Sequence, residues 1–273
     1  METGETEERG APLDLHPARL LELSGAKRLG RPIYLLDAAG SSNAVAAAAA
    51  AGGARAGTLF LVEEQTGGKG RKGREWRSVK GKSLTMSLLL RPRRRDEALT
   101  VVFALAVARA LDRFARPLAL KWPNDLFLAG RKLGGILAET TGEAVVVGLG
   151  LNVNEEAADF TGDLSGAAAS LRAAEGRRFD RGAVLCRILE SFEALHDEFE
   201  RGGFEPLRGE VEKRLLHIGK AVTIESGASR HEGVFLGVTG DGYARVDVGG
   251  AERVFPSGDL TLREDSRGND SRS

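Results

Sequence analysis

A glycine-rich basic stretch between two apolar runs is the feature that most constrains the fold. It extends from Gln65 to Trp76 and reads QTGGKGRKGREW. A β-type run at 58–63 precedes it and another at 83–90 follows it. Short apolar runs bounded by glycine are typical of strands, so the stretch is predicted to be a loop between two strands. Its glycines allow close approach of the backbone to a ligand, and its cations can surround an anion.

Two nucleotide-binding motifs match part of this region in residue spacing, but the region does not meet their other requirements. Gly68, Gly70 and Gly73 have the spacing of the dinucleotide fingerprint, but that fingerprint opens a helix and a strand follows here. Residues 81–83 resemble the end of a P-loop, but Trp76 occupies the required glycine position. On the residues alone the loop is a ligand loop, a solvated turn or a nucleic-acid contact.

A second motif follows at 121–139 and reads KWPNDLFLAGRKLGGILAE. The pattern predicts a strand that stops at Pro123, a turn that holds Asn124 and Asp125, and a tight hairpin at 129–131. Lys132 is predicted to begin the returning strand. A lysine in that position most often points to solvent.

The rest of the chain predicts a mixed α/β unit and then a small β unit. Apolar residues at helical spacing predict helices at 98–114 and after the N-cap Asp180, and an alanine-rich helix is expected to end at Ala51. Further strands are expected at 33–37, 118–122, 126–128, 132–140 and 144–153, then at 221–225, 233–238, 243–248, 252–255 and 260–262. The predicted domains are an N-terminal tail with a short helix (1–30), a catalytic domain (31–216), a β domain (217–264) and a C-terminal tail (265–273). We expect disorder at 1–12 and 265–273 because both are polar and charged.

The composition of the chain argues against several classes of protein. The chain has 273 residues with 39 basic and 39 acidic side chains, whereas a general nucleic-acid binder would be more basic. One cysteine, Cys186, excludes an internal disulfide, and the histidines lack metal-ligand spacing, so we predict no metal-binding residues. No apolar run of about 20 residues and no secretory signal is present, so we expect a cytoplasmic protein without a membrane partner.

The two motifs, in this order, resemble those of the biotin protein ligases. That family carries a G-R-G-R-x-G-R-x-W loop and a later K-W-P-N-D…G-x-K-x-x-G-I-L-x-E strand pair, and the resemblance extends from about Pro32 to about Leu262. Lys69 stands where the family usually has arginine, which keeps the charge and loses the planar fork. The resemblance implies an α/β (α+β) fold: a class II synthetase-like domain with a mixed sheet packed on helices, and a C-terminal SH3-like β-barrel.

The resemblance also implies a reaction and its ligands. Biotin and ATP would form biotinyl-5'-AMP with Mg²⁺, and biotin would pass to a lysine of the biotin carboxyl carrier domain of a carboxylase. A homodimer is compatible with the resemblance. Catalytic roles are implied for Lys132, Arg71, Arg74 and Asp125. Ligand contacts are implied for Ser41, Ser42, Asn43, Gln65, Gly68, Lys69, Gly70, Arg71, Trp76, Asn124, Lys132 and Asn152.

The residues also allow other interpretations. The Ser41–Asn43 cluster also fits a helix N-cap, and Asn152 also fits the polar end of a core strand. Lipoate or octanoyl ligases and transferases share a similar fold and acyl-transfer logic. A nucleic-acid-binding module could use the basic loops at 69–74 and 91–95. We expect no operator-specific DNA binding, because the region between Leu13 and Leu29 has room for only one short helix.

Overall fold

The computed structural model describes residues 13–94 and 97–263, so the tails predicted to be disordered lie outside the described residues. The larger sheet has seven strands in the order β1-β2-β3-β7-β6-β5-β4, with β1 parallel to β2 and the remaining neighbours antiparallel. Its strands are β1 (Ile33–Ala39), β2 (Leu59–Gln65), β3 (Leu84–Leu90), β4 (Ala119–Lys121), β5 (Asp125–Leu128), β6 (Arg131–Thr141) and β7 (Ala144–Leu151). This sheet and its helices confirm the predicted mixed α/β fold.

Helices cover both faces of this sheet. They are α1 (Pro17–Leu23), α2 (Ser42–Ala51), α3 (Ala98–Leu111), α4 (Leu171–Glu175), α5 (Arg181–Gly202) and α6 (Glu205–Arg214). Helix α2 packs on β2, β3 and β7, while α3 packs on β4, β5 and β6 and against α5. Because side chains alternate along a strand, Met86 and Leu88 of β3 join the core under α3 and α5, while Leu89 joins the smaller core under α2 with Ala46.

The first described residues are fixed to α5. The side chain of Asp180 caps α5, as predicted, by accepting a hydrogen bond from the Ala183 N–H. The Glu193 carboxylate accepts hydrogen bonds from the backbone N–H groups of Lys27, Arg28 and Leu29 at 2.8–3.0 Å. These bonds hold the segment before β1 against the helix layer.

The C-terminal sheet has five strands in the order β11-β10-β9-β8-β12. They are β8 (Ala221–Ser226), β9 (Ser229–Val238), β10 (Ala244–Val248), β11 (Ala251–Phe255) and β12 (Asp259–Leu262). The β domain is confirmed, but the expected barrel is not closed within the described residues, since β11 and β12 do not pair. The domain boundary at residue 216 stays a prediction.

Several element bounds differ from the predicted ones. Helix α3 ends at Leu111 rather than at 114, and Asp125 belongs to β5 rather than to the preceding turn. Helix α6 was not predicted. Only Leu207 and Val211 are buried among its ten residues, so its sequence lacks the stripe of apolar residues that indicates an amphipathic helix. In the described residues, none of the helices is long and apolar enough to span a bilayer.

Candidate active site

The predicted site residues converge on one cavity. A cavity of about 550 Å³ lies where the N-terminus of α2, the Gln65–Trp76 loop, the β5–β6 hairpin and the start of β12 meet. Every predicted site residue except Gly68 lines this cavity. It therefore brings together segments from the beginning, middle and end of the described chain.

Two glycines of β7 form part of the cavity wall, and larger residues would not fit at either position. A Cβ placed on Gly148 would lie 2.1 Å from Oδ1 of Asn43, and one on Gly150 would lie 2.3 Å from Cε2 of Trp76. Strand alternation puts both glycines on the α2 face of the sheet, opposite the core residues Val147 and Leu149. The Asn43 amide and the Trp76 indole thus pack directly on the strand backbone.

The N-terminus of α2 faces the cavity. Ser41 occupies the N-cap position, but its hydroxyl makes no capping hydrogen bond, so the side chain is not used as a cap. The Ser42 N–H donates to Oε1 of Gln65 at 2.7 Å. A helix N-terminus that presents its N–H groups suits an acceptor-rich ligand.

Ser87 completes a buried polar cluster that the sequence reasoning missed. Its hydroxyl bonds with Oγ of Ser42 at 2.8 Å and with Oδ1 of Asn43 at 2.6 Å. The Asn43 amide donates to the Leu137 carbonyl and to Oε2 of Glu139. The only sequence signal for Ser87 was a run of small polar residues on alternate positions of an apolar strand.

Gly68 does not line the cavity but supports the loop beside it. A Cβ at this position would lie 2.4 Å from the Trp76 carbonyl oxygen and 2.8 Å from Nε2 of Gln65. The Trp76 N–H donates to the Gly68 carbonyl at 2.9 Å. Glycine is therefore required for close packing of the loop ends, and direct contact of Gly68 with a ligand stays a prediction.

An ion pair stands at the second motif. Nζ of Lys132 lies 2.7 Å from Oδ1 of Asp125, and both side chains line the cavity. Lys121 also lines it and was not among the predicted site residues, although it begins the second motif. Burial lowers the pKa of the Lys121 ammonium, Asp125 opposes that shift, and the charges of Lys132 and Arg74 add to it. Cationic charge is thus concentrated on this wall.

Asn124 links the second motif to the loop. Its amide donates to the Ile136 carbonyl at 3.0 Å, and its Oδ1 accepts from Nη1 of Arg71 at 3.4 Å. Next to it, the buried Trp122 donates its indole N–H at 3.0 Å to the carbonyl of Gly242, in the turn between β9 and β10 of the C-terminal sheet. The motif therefore contacts both the loop and the β domain.

Two polar residues stand beyond the end of β7. The Asn152 amide donates to the Ala169 carbonyl at 3.0 Å, which holds the residue at the cavity wall. Glu155 is 1 % exposed, and its Oε2 has no hydrogen-bond partner within the described residues. Burial raises the pKa of the Glu155 carboxyl against the opposing hydrogen bond from Ser83. Sequence reasoning missed Glu155, because a glutamate after a strand carries no local sign of burial.

The remaining loop cations surround the mouth of the cavity. Lys69 and Gly70 line it, and the backbone of Lys69 forms an isolated antiparallel β-bridge with that of Glu75 across the loop. Arg74 lines it as well and is paired with Asp259 at 3.3 Å. The arrangement is a partly enclosed pocket with hydrogen-bonding groups at one side and cations at the mouth, which suits a polar ligand that carries negative charge.

Known proteins share sequence with this chain over most of its length. Residues 50–154 match the biotin/lipoate A/B protein ligase family. The biotin–[acetyl-CoA-carboxylase] ligase of Mycobacterium tuberculosis is 33 % identical over 262 residues, which cover 91 % of this chain and 95 % of that protein. The bifunctional ligase/repressor BirA of Bacillus subtilis is 32 % identical over 243 residues, covering 86 % of this chain and 75 % of that protein.

A solved structure of a biotin protein ligase has a similar fold. The biotin protein ligase of Aquifex aeolicus in complex with biotin and ATP superposes with a TM-score of 0.77 at 28 % identity, covering 85 % of this chain and 98 % of that chain. The sequence matches extend well beyond the two motifs, and the structural match covers most of the chain. The chain therefore belongs to the biotin protein ligase family.

Proposed function

We propose that the 550 Å³ cavity is the site at which this chain joins biotin to a carrier protein at the expense of ATP. The observation that carries the proposal is the convergence of two separate motifs on one cavity. The Gln65–Trp76 loop and the residues Asn124, Asp125 and Lys132 come from distant parts of the chain and line the same space.

The first step forms an acyl-adenylate. A carboxylate oxygen of biotin attacks the α-phosphorus of ATP, and the bond from that phosphorus to the bridging oxygen breaks, so biotinyl-5'-AMP and pyrophosphate result. Ser41, Ser42, Asn43 and Gln65 would bind the polar ring system of biotin. The residues proposed beside the nucleotide are Trp76, Asn124 and Asn152.

Cations are needed because a carboxylate that approaches a polyphosphate meets like charge. Lys132, Arg71 and Arg74 are the side chains we assign to the charge that develops in the transition state. Their mutual arrangement is fixed by acidic neighbours, with Asp125 beside Lys132 at 2.7 Å and Asp259 beside the two arginines at 3.3–3.4 Å. Preorganised charge of this kind costs little reorganisation during the reaction.

The residues present fit a Mg²⁺ ion that arrives with the nucleotide. Within the described residues there is no group of three His, Cys, Asp or Glu side chains that could hold a metal by itself. Mg²⁺ keeps several waters and is usually held by substrate phosphates with one or two carboxylates. Asp125 is the carboxylate we assign to this role. The ion would neutralise phosphate charge when bound.

The second step transfers the acyl group. The amine of a carrier lysine attacks the carbonyl carbon of the mixed anhydride, AMP leaves, and the ammonium proton passes to solvent or to a nearby base. We propose the biotin carboxyl carrier domain of a carboxylase as the acceptor, supported by relatives that bear the name biotin–[acetyl-CoA-carboxylase] ligase. Asp125 is a candidate for orienting the incoming amine.

Pyrophosphate–ATP exchange tests the first step and separates the related activities. We expect exchange that depends on biotin and is not supported by lipoate or octanoate. Exchange with lipoate or octanoate and none with biotin would instead indicate a lipoate or octanoyl ligase. Streptavidin blotting of a purified carrier domain incubated with enzyme, biotin and ATP tests the second step.

We also propose that the chain does not bind DNA in a sequence-selective manner. Among the cations of the loop at 69–74, Arg71, Lys72 and Arg74 are paired with Asp259, and Lys72 also with Glu225, which lowers the positive charge available to a long polyanion. A mobility-shift assay with and without biotin and ATP checks this, and saturable sequence-selective binding would contradict it.

A further inference from the structure

One carboxylate of the C-terminal sheet contacts three cations of the glycine-rich loop. Oδ2 of Asp259 lies 3.1 Å from Nζ of Lys72 and 3.3 Å from Nη2 of Arg74, and its Oδ1 lies 3.4 Å from Nη1 of Arg71. The Asp259 side chain is only 17 % exposed. It is the first residue of β12, so its position is fixed by the sheet.

The neighbours of Asp259 reinforce this contact. The Gly258 carbonyl accepts a hydrogen bond from Nη1 of Arg71 at 2.9 Å. Glu225 of β8 lies 3.4 Å from Nζ of Lys72. A Cβ on Gly258 would lie 2.8 Å from the Glu225 carbonyl oxygen, so glycine is needed to bring these strand ends together. The corner of the C-terminal sheet thus presents a carbonyl and two carboxylates to the loop.

The loop needs such a counter-ion in its observed conformation. Arg71, Lys72 and Arg74 lie within four consecutive residues, and Lys72 has a left-handed φ of 54°, which is unfavourable for a residue with a side chain. Burial would raise the pKa of the Asp259 carboxyl, but the hydrogen bond from Lys72 and the charges of the three cations outweigh burial and lower it. Asp259 is therefore an anion at neutral pH and reduces the repulsion among the cations.

The contact lies at the mouth of the cavity. Arg71, Arg74 and Asp259 all line it, together with Leu260 and Thr261 of β12. A single exposed ion pair contributes little to stability, but this carboxylate is mostly buried and shared by three cations. Two carboxylates facing three cations leave a net positive charge, so the mouth can still attract phosphate.

We infer that Asp259 is a positioning residue that holds the Gln65–Trp76 loop against the C-terminal sheet before any ligand binds. The loop and the β domain then form one wall of the cavity, with Arg71 and Arg74 already directed to its mouth. Asp259 acts through these arginines and need not touch a substrate. Only the catalytic consequence rests on the function proposed above.

Amide hydrogen exchange of the ligand-free chain tests the inference without any assay of activity. Three amides inside the loop are hydrogen-bonded to loop carbonyls: Gly70 to Arg74 at 2.7 Å, Arg74 to Arg71 at 3.2 Å and Trp76 to Gly68 at 2.9 Å. In Asp259→Asn we expect the peptide covering 66–77 to exchange about fivefold to tenfold faster, because a charge-assisted contact that closes the loop is lost. A peptide from α5 should exchange unchanged and serves as the internal reference.

Two further variants separate a positioning role from general electrostatics. Glu225→Gln removes the same charge from the same sheet but only one contact with the loop, and should change the exchange less than twofold. Asp259→Glu keeps the carboxylate and should remain closer to the parent chain than Asp259→Asn. Unchanged loop exchange in Asp259→Asn, or an equal effect of Glu225→Gln, would overturn the inference.

Kinetics then distinguish failure of the inference from failure of the proposed function. If Asp259 positions the arginines, Asp259→Asn should raise the KM for ATP and the rate of adenylate loss more than it lowers kcat of biotin-dependent exchange. An active parent whose Asp259→Asn variant shows unchanged KM and unchanged loop exchange overturns only the positioning role. A parent without biotin-dependent exchange overturns the proposed function, and the hydrogen-exchange result still decides the role of Asp259.

Discussion

The indole ring of Trp76 lies against the backbone of Gly150, so closely that a Cβ on Gly150 would come within 2.3 Å of the ring. The ring nitrogen is buried and has no hydrogen-bond partner within the described residues. A tryptophan held by the backbone of a core strand presents a rigid apolar surface to the cavity. The glycine therefore determines where the last residue of the loop can stand.

Gly150→Ala tests this relationship. The new methyl group must displace the indole, and because Trp76 belongs to a loop, the ring should move rather than the strand. We expect the KM for ATP to rise about tenfold, the order of magnitude for loss of stacking between one base and an aromatic ring. Steady-state kinetics of biotin-dependent exchange and tryptophan fluorescence measure the effect.

Gly209→Ala is the matched control for that substitution. Gly209 lies in α6 with nothing within 4 Å of an added Cβ. Activity should be unchanged, and stability should rise by about 0.5–1 kcal/mol, since alanine favours a helix. If Gly150→Ala has the same KM for ATP and the same tryptophan fluorescence as the parent, the contact between Trp76 and Gly150 does not determine the position of the indole.

Lys132→Ala should abolish most adenylate formation without unfolding the protein. Loss of one preorganised charge at a reacting centre typically costs about a hundredfold in rate or more. The Lys132 side chain is 37 % exposed, so the cost to stability should be small. Lys80→Ala is the matched control. It removes a lysine that also has an ion pair, to Asp37 at 2.6 Å, but that does not line the cavity. Near-normal exchange in purified Lys132→Ala would contradict the assignment.

Local sequence patterns predicted turns and strand ends that carry several of the site residues, whereas the roles of those residues were implied by the resemblance to the biotin protein ligases. The hairpin between β5 and β6 has Ala129 and Gly130 at φ values of 50° and 78°, as expected for a two-residue turn with both residues left-handed. The apolar run at 144–153 likewise placed Asn152 at the end of a strand, and the residue follows directly after β7. Such features depend on neighbours in the chain and are readable without a structure.

Contacts between distant segments left no such signal. Asp259 begins a short strand in the C-terminal sheet, and nothing near it in the sequence indicates that it faces Arg71. Glu225 likewise acquires Lys72 as a neighbour only when the C-terminal sheet packs against the loop. Partners of this kind are fixed by tertiary packing, so sequence reasoning could name the loop cations but not their counter-ions.

Glu193→Gln should weaken the attachment of the N-terminal segment in a pH-dependent way. Burial opposes ionisation, but three backbone N–H groups and the charge of Arg28 lower the pKa of the Glu193 carboxyl. The lowered pKa means that its stabilisation is complete above the unfolded value near 4.3 and is lost as the pH falls through the folded value. We expect a loss of about 1–3 kcal/mol in unfolding free energy at pH 7.

Urea unfolding at several pH values checks this expectation. The difference between Glu193→Gln and the parent should shrink as the pH falls through the lowered pKa of the folded parent, where its carboxylate becomes protonated. Glu190→Gln is the control on the same helix, because Glu190 accepts only one backbone hydrogen bond from this segment, from Gly25. A difference that is independent of pH would show that packing, not the charge, anchors the segment.

Arg181 should be the most costly single position in the protein outside the apolar core. Its side chain is fully buried between two carboxylates, with hydrogen bonds of 2.7–3.0 Å to both oxygens of Asp14 and both oxygens of Glu63. It also donates to the Ser83 carbonyl at 3.0 Å. These bonds join the start of the described chain, the end of β2 and the first turn of α5.

Arg181→Met removes the cation and leaves two partly or fully buried carboxylates without a partner. The expected loss is about 3–5 kcal/mol in unfolding free energy at pH 7, because the cost of an uncompensated buried charge adds to the lost bonds.

A neutral triple variant separates charge from shape. Asp14→Asn, Glu63→Gln and Arg181→Met together leave no buried charge, so denaturant unfolding should show recovery of part of the loss seen in Arg181→Met alone. The single variant Asp14→Asn keeps Glu63 as a partner for the arginine and should lose less than Arg181→Met. If Arg181→Met unfolds at the same denaturant concentration as the parent at pH 7, the buried ion cluster does not fix these three segments.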